Sequence, residues 1–339
     1  MLMTNELQTR LLEQISNKYQ RKSEAVDILS NLLSIGKDAV YRRLRGDTLL
    51  TPDEISLLAK EFYISLDSLV LDNTSSVFFN FSAFTRKINS PTDYLNGILS
   101  LLHQIKLLPE VEILYASSEI PFFYYSFFPE LIGFKLYVFG RTIWDLDYLK
   151  ERKFHFDLLP YHDIEMTKEI LENFISIDTT ELWSFNIFDN TLNQIEYHCS
   201  SGQFENMEDA LVLLDRLKDL SGHMRKMAEV GRKFKINGDP EVGSKFNLYH
   251  NEMIYTSNNI FVNSPLQKTV FTTLASPNFL TSTDPRMFEF MNNWFSKVKK
   301  RSNSISEQAE RDRNTFYHGI ERRIASTRRR IETQLQDNF

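Results

Sequence analysis

Apolar positions at the start of the chain recur at helical spacing. Leu7, Leu11, Leu12 and Ile15 form one stripe across residues 6–19, as an amphipathic helix requires. Ser23 opens a second helix with Val26, Leu29, Leu32 and Leu33 on one face, and Ser34-Ile35-Gly36 breaks it. A short third helix runs over 37–45 and stops at Gly46. Thr51-Pro52-Asp53-Glu54 starts the fourth: Thr as N-cap, Pro at the first helical position, Glu three residues after the cap. Ile55, Leu58, Ala59 and Phe62 are its buried stripe, and Ser65-Leu66-Asp67-Ser68-Leu69 begins a last short helix. Residues 1–72 therefore predict a compact five-helix bundle.

Asp72-Asn73-Thr74-Ser75-Ser76 reads as an exposed polar junction, and beyond it the pattern becomes mixed α/β. Residues 111–115 read as a buried strand following a helix over 91–107. Further helices are expected over 129–143, 163–177 and 210–227. Strands are expected over 246–262 and 268–275, with Asn258-Asn259 as a hairpin turn. Helices over 288–300 and 305–335 complete the reading. The expected organisation is a head over 1–72, an α/β effector or sensor body over 77–303, and a basic amphipathic helix over 304–339. No internal repeat or low-complexity segment is visible.

Composition narrows the class. With 339 residues, 42% hydrophobic and 25% charged, the chain is a globular protein of about two domains. Gly (11) and Pro (10) are scarce, which favours helix. Net charge is −6, so any nucleic-acid contact must come from a local basic face. One such face exists: Lys18, Arg21, Lys22, Lys37, Arg42, Arg43 and Arg45 outnumber Glu24, Asp27 and Asp38. The single Cys199 excludes an intrachain disulfide and a cysteine-rich zinc site. No signal-peptide core and no run of ~18 apolar residues is present, so a cytoplasmic protein without membrane association is expected.

The run Ser34-Ile35-Gly36-Lys37-Asp38-Ala39-Val40-Tyr41-Arg42-Arg43-Leu44-Arg45-Gly46 resembles the turn and recognition helix of Xre/Cro-type helix-turn-helix repressors. The helix from Thr51 and the segment Ile64–Leu69 resemble that family's fourth and fifth helices. The likeness covers about a fifth of the chain, with Ser34 where the family usually has the turn glycine, Gly36 where it usually has the capping Ser, and Arg43 where an aromatic is common. It implies a lambda-repressor-like, all-α head that binds double-stranded DNA as a homodimer. Lys37, Asp38, Tyr41 and Arg42 match the family's base-reading positions, and Arg45 and Lys22 its phosphate contacts. The chain as a whole is similar to bacterial regulators that join such a head to a long α/β body, which implies transcription regulation and leaves room for a small-molecule effector.

Motifs for chemistry are sparse. The seven histidines show no HExxH or other usual metal spacing, and no nucleotide-binding or hydrolase motif is present. No enzyme activity, metal or cofactor is therefore expected. Pro121–Pro129, with six aromatics, either lines an apolar ligand pocket or packs under a loop. The C-terminal helix carries Ile305, Ala309, Phe316, Ile320, Ile324, Ile331 and Leu335 among many arginines. Pairing with a second copy is slightly favoured for it over docking on its own body, an auxiliary DNA-facing surface being a third use. The rival to DNA recognition is an antitoxin-like or defence-associated module whose head docks on protein.

Overall fold

The computed structural model describes residues 6–19, 21–62, 64–70, 75–82, 87–252 and 257–337, so the junction expected at Asp72–Ser76 lies mostly outside the described residues. The chain divides into two compact units. One runs to Asn80 and includes the short segment Pro265–Lys268; the other comprises Phe81–Ser264 and the chain from Thr269 onward.

Among its described residues the first unit holds five helices: α1 (Glu6–Ser16), α2 (Lys22–Leu33), α3 (Lys37–Leu44), α4 (Pro52–Glu61) and α5 (Leu66–Val70). Their apolar stripes meet in one cluster containing Leu11, Leu12, Ile15, Val26, Leu29, Val40, Leu58, Phe62 and Leu69. Thr51 and Glu54 form the reciprocal capping box that starts α4.

The second unit is a mixed sheet with helices on both faces. A two-residue strand, β1 (Asn80–Phe81), precedes helix α6 (Pro91–Lys106) and strand β2 (Glu112–Ser117). Then come α7 (Phe122–Tyr125), α8 (Pro129–Thr142), α9 (Asp147–Lys150), α10 (Tyr161–Ile175) and β3 (Asp178–Ser184). Next are α11 (Asp189–Ser200), α12 (Asp209–Val230), β4 (Arg232–Lys233), β5 (Ser244–Asn251), β6 (Asn259–Asn263), β7 (Lys268–Ala275) and β8 (Asn278–Ser282). The chain closes with α13 (Pro285–Lys299), β9 (Asn303–Ser304) and α14 (Glu310–Asp337). The strands run in the order β8-β7-β6-β2-β3-β5-β4, with β9 paired on β5. β2, β3 and β5 are mutually parallel, and the strands flanking them are antiparallel.

One face of the sheet carries the main core, where Tyr115, Trp183 and Phe246 meet Phe134, Phe174, Leu217, Met224 and Tyr317. On the opposite face, Phe288, Phe295 and Val298 of α13 cover Leu114, Ala116, Leu182, Phe261 and Val270. The aromatic run Pro121–Pro129 is core: Tyr124 and Tyr125 are completely buried, and their hydroxyls bond Glu181 and Thr191.

Three expectations are corrected. Asn258-Asn259 is not a hairpin turn, because β6 pairs with β2 while β5 pairs with β3, leaving two strands between them. Helix α14 begins at Glu310, so Ile305 and Ala309 precede it; Ile305 is nonetheless buried, its N–H bonding the Leu248 carbonyl. The stripe of α14 is not a free seam for a second copy. Phe316, Tyr317, Ile320, Ile324 and Ile331 are buried in the body's own core. Three of its arginines are likewise used at home: Arg323 on Asp189, Arg328 on Asp215, and Arg330 on Glu196. Docking in cis satisfies the apolar stripe and these three arginines, which weakens the case for an auxiliary DNA surface there.

Two sets of buried ionisable groups lie inside the body, and one of them, Lys135–Glu119, is an ion pair. Glu181 accepts hydrogen bonds from Tyr124, Thr179 and Trp183, and burial raises its pKa above the usual carboxylate range. Lys233, fully buried, donates to the Phe174 and Ile177 carbonyls, and burial lowers its pKa to about 7. Lys135 is held by Glu119 and Gln194, while Glu119 also accepts from Asn190, Asn258 and Ser276.

Candidate nucleic-acid interface

The turn between α2 and α3 sets the direction of the candidate recognition helix. Ser34 adopts the left-handed conformation (φ 53°, ψ 41°) that usually selects glycine. Its N–H bonds the Asn31 carbonyl, and the Ile35 N–H reaches back to the Ser30 carbonyl, the two bonds of a Schellman cap. The Ser30 hydroxyl also donates to the Ile35 carbonyl. Thus Ser34 does the conformational work of the missing glycine. Gly36 is the N-cap of α3 and supplies no side-chain acceptor, so that helix starts with its first N–H groups free of any side-chain cap.

On α3, Val40 is buried and Leu44 half-buried against the bundle core. Lys37, Asp38, Tyr41 and Arg42 are exposed along the remaining surface, with Arg45 at the C-cap. Lys22 is exposed at the first turn of α2. All six residues singled out from the sequence are therefore accessible, and Tyr41, 42% exposed, is an aromatic presented to solvent.

Their charges are not equally free. Lys37 is paired with Asp27, which raises its pKa, and Arg45 Nε donates to Asp47 at 2.8 Å. Arg42 and Lys22 have no ion-pair partner among the described residues. Two of the cations counted in the local basic excess are turned into the bundle instead. Lys18 donates to the Phe62 carbonyl at 2.8 Å and stacks over the Phe62 ring, burial lowering its pKa. Arg43 bonds Glu54 at 2.7 Å, both side chains largely buried. Glu54 thus caps α4 with one oxygen and holds α3 with the other.

The residue that sequence reasoning missed is Gln8. It lies on the stripe of α1 and is 3% exposed. Its Nε2 donates to the carbonyls of Arg43 and Thr48 at 2.8 and 2.9 Å, and its Oε1 accepts the Leu50 N–H at 2.7 Å. One amide therefore fixes both ends of the loop that leaves α3. The available signal was a polar residue three and four positions before Leu11 and Leu12, where the stripe demands an apolar one.

No family model matches this chain, and no curated protein does. A solved structure of TrmBL2, described as an archaeal chromatin protein with a novel mode of DNA binding, aligns at 12% identity over 88% of this chain and 99% of that one. The TM-score is 0.25, a level that establishes no common fold.

Proposed function

We infer that the chain is a sequence-specific, double-stranded-DNA-binding transcriptional regulator. In this reading α2 and α3 form a helix-turn-helix within a lambda-repressor-like head. The observation that carries it is the two-faced α3: Val40 and Leu44 turn inward, and Lys37, Asp38, Tyr41 and Arg42 stand exposed on a helix whose entry is fixed by the Ser34 cap. A recognition helix needs this division, because its inner face sets the angle at which its outer face enters the major groove. Arg42, exposed and without an ion-pair partner among the described residues, suits bidentate recognition of guanine. Arg45 and Lys22 suit phosphate. Two heads on half-sites about 34 Å apart would supply the affinity that one small head lacks. The reading assigns no catalysis, metal or cofactor to the chain.

A second reading, a head that docks on protein, is favoured by the carboxylates on the same surface. Asp27 and Asp47 neutralise Lys37 and Arg45, and Asp38 stands exposed between the candidate readers. Selection of bound sequences from random duplex DNA, at two salt concentrations, separates the two. The regulator enriches a defined motif, and its affinity falls steeply with salt. Arg42→Ala then relaxes preference at one position and costs roughly 1–3 kcal/mol at the preferred site. Arg45→Ala weakens all sequences alike. Absence of enrichment at both salt concentrations refutes DNA reading.

A further inference from the structure

The buried charges of the body are mostly closed on themselves, as the Glu119–Lys135 cluster shows. Several buried polar atoms nevertheless have no hydrogen-bond partner among the described residues, and one of them belongs to a residue that borders a cleft. His250, on β5, is 7% exposed, yet its Nε2 is buried without a hydrogen-bond partner. Its ring packs against Phe316 of α14, centroids 4.4 Å apart, and burial lowers its pKa, so the imidazole is neutral near pH 7.

His250 lines a cleft of about 370 Å³. The cleft lies off the carboxyl ends of the adjacent parallel strands β3 and β5, where open α/β sheets characteristically receive ligands. Its size falls at the lower end of small-molecule sites, roughly 300–1,000 Å³. Phe185 and Phe316 give it two aromatic walls. Arg323 is committed to the wall, bonding the Phe185 carbonyl and Asp189. Glu252, Asp312 and Arg322 also line the cleft, all exposed and none ion-paired among the described residues.

The charges are ordered along the cleft. Asp312 and Arg322 are ten positions apart on α14, about 15 Å of helix. Helical side chains lean toward the N-terminus, so the long Arg322 reaches back toward Asp312 and leaves a span of roughly 10 Å, the length of about three extended residues. Nothing small enough to sit at one end satisfies both. The geometry points to a ligand site for a short extended zwitterion, its ammonium at Asp312 and Glu252, its carboxylate on Arg322, and its apolar middle between Phe185 and Phe316. His250 borders the middle of the ligand, and its Nε2, closed to solvent in this structure, gains a partner there once the ring turns into the cleft. The site lies wholly within the second unit and stands whether or not the head reads DNA.

Native mass spectrometry of the full chain tests this with two probes: Ala-X-Ala tripeptides randomised at the centre, and ω-aminooctanoate. A tripeptide with free termini is expected to bind, while the same peptide N-acetylated and C-amidated binds at least about tenfold more weakly. Binding of ω-aminooctanoate as well marks charge spacing as the determinant, whereas tripeptide binding alone marks recognition of the peptide groups through His250. Arg322→Gln should abolish the difference between free and amidated C-termini, and Asp312→Asn should reduce the difference between free and acetylated N-termini. Both positions are exposed, so neither change threatens the fold. No binding of either probe, equal binding of blocked and free peptides, or an unchanged Arg322→Gln profile overturns the proposal. Because binding is read on the chain alone, such a failure leaves the DNA reading standing.

Discussion

Replacing Gln8 by Leu keeps the volume of the side chain close to native and removes three hydrogen bonds at once. The Leu50 N–H is the costly orphan, because Leu50 is 6% exposed and its bond to Gln8 is fully buried. A buried unsatisfied donor costs about 1–3 kcal/mol. The Arg43 and Thr48 carbonyls are only part-buried, and losing their donor adds ~0.5–1 kcal/mol each. The sum, about 2–5 kcal/mol, corresponds to a roughly 30- to 5,000-fold rise in the opening equilibrium of the first unit. All three tryptophans (144, 183 and 294) lie in the second unit, so fluorescence is blind to this change. Hydrogen exchange followed by mass spectrometry on peptides covering residues 37–62 is the suitable assay. Protection there should fall by at least about thirtyfold, while the urea midpoint from tryptophan emission stays constant. A fall below about fivefold would refute the assignment of Gln8 as the clamp of the loop after α3.

Three other perturbations have outcomes of known sign. Ser34→Gly relieves a left-handed non-glycine residue worth ~1–2 kcal/mol, offset in part by backbone entropy, so the α2–α3 peptides should gain about 0.5–1 kcal/mol of exchange protection. Lys233 has a pKa of about 7 when folded against 10.5 ordinarily, so the unfolded chain binds more protons between those values. This amine therefore makes the body more stable as pH rises above about 7. Glu181, raised by burial, contributes with the opposite sign, its stabilising proton being lost as pH climbs through its folded pKa. Lys233→Met should remove the upward slope of urea midpoints between about pH 7 and 9, and an unchanged slope would exclude Lys233 as its source. Truncation after Asn303 strips Phe316, Tyr317, Ile320, Ile324 and Ile331 from the core. Light scattering and calorimetry should then show aggregation and loss of cooperative melting rather than a dimer becoming a monomer.

The bundle was legible in the sequence because each of its helices is specified locally. The stripe of α1, the Thr51–Glu54 capping box and the break at Ser34-Ile35-Gly36 all act within a few residues of one another. The body was less so. Strand β3, the middle of the three parallel strands, gave no signal, since Asp178-Thr-Thr-Glu-Leu-Trp-Ser neither alternates nor forms an apolar run. Its buried Glu181 is tolerated because Tyr124 and Lys233 come from distant parts of the chain. The false hairpin at Asn258-Asn259 has the same origin: turn chemistry is local, but which strands pair is decided by non-local packing. Among the candidate site residues, exposure followed from helical spacing. The ion pairs of Lys37 and Arg45 and the inward turn of Arg43 depend on how neighbouring elements meet, which spacing does not encode.

The position of α14 in the core also sets the order in which the molecule can be made. The five helices of the first unit are complete once Val70 has emerged, and their contacts are local enough to form at once. The second core joins residues as far apart as Leu95 and Ile331. It cannot close until roughly 260 further residues have been synthesised, about 15–50 s at ~5–20 residues per second. Throughout that interval Trp183, against which Phe316 of α14 finally packs, belongs to an unfinished sheet. A nascent chain of this protein therefore carries a finished bundle together with a growing, sticky body, and a ribosome stalled before α14 has emerged would release an aggregation-prone form.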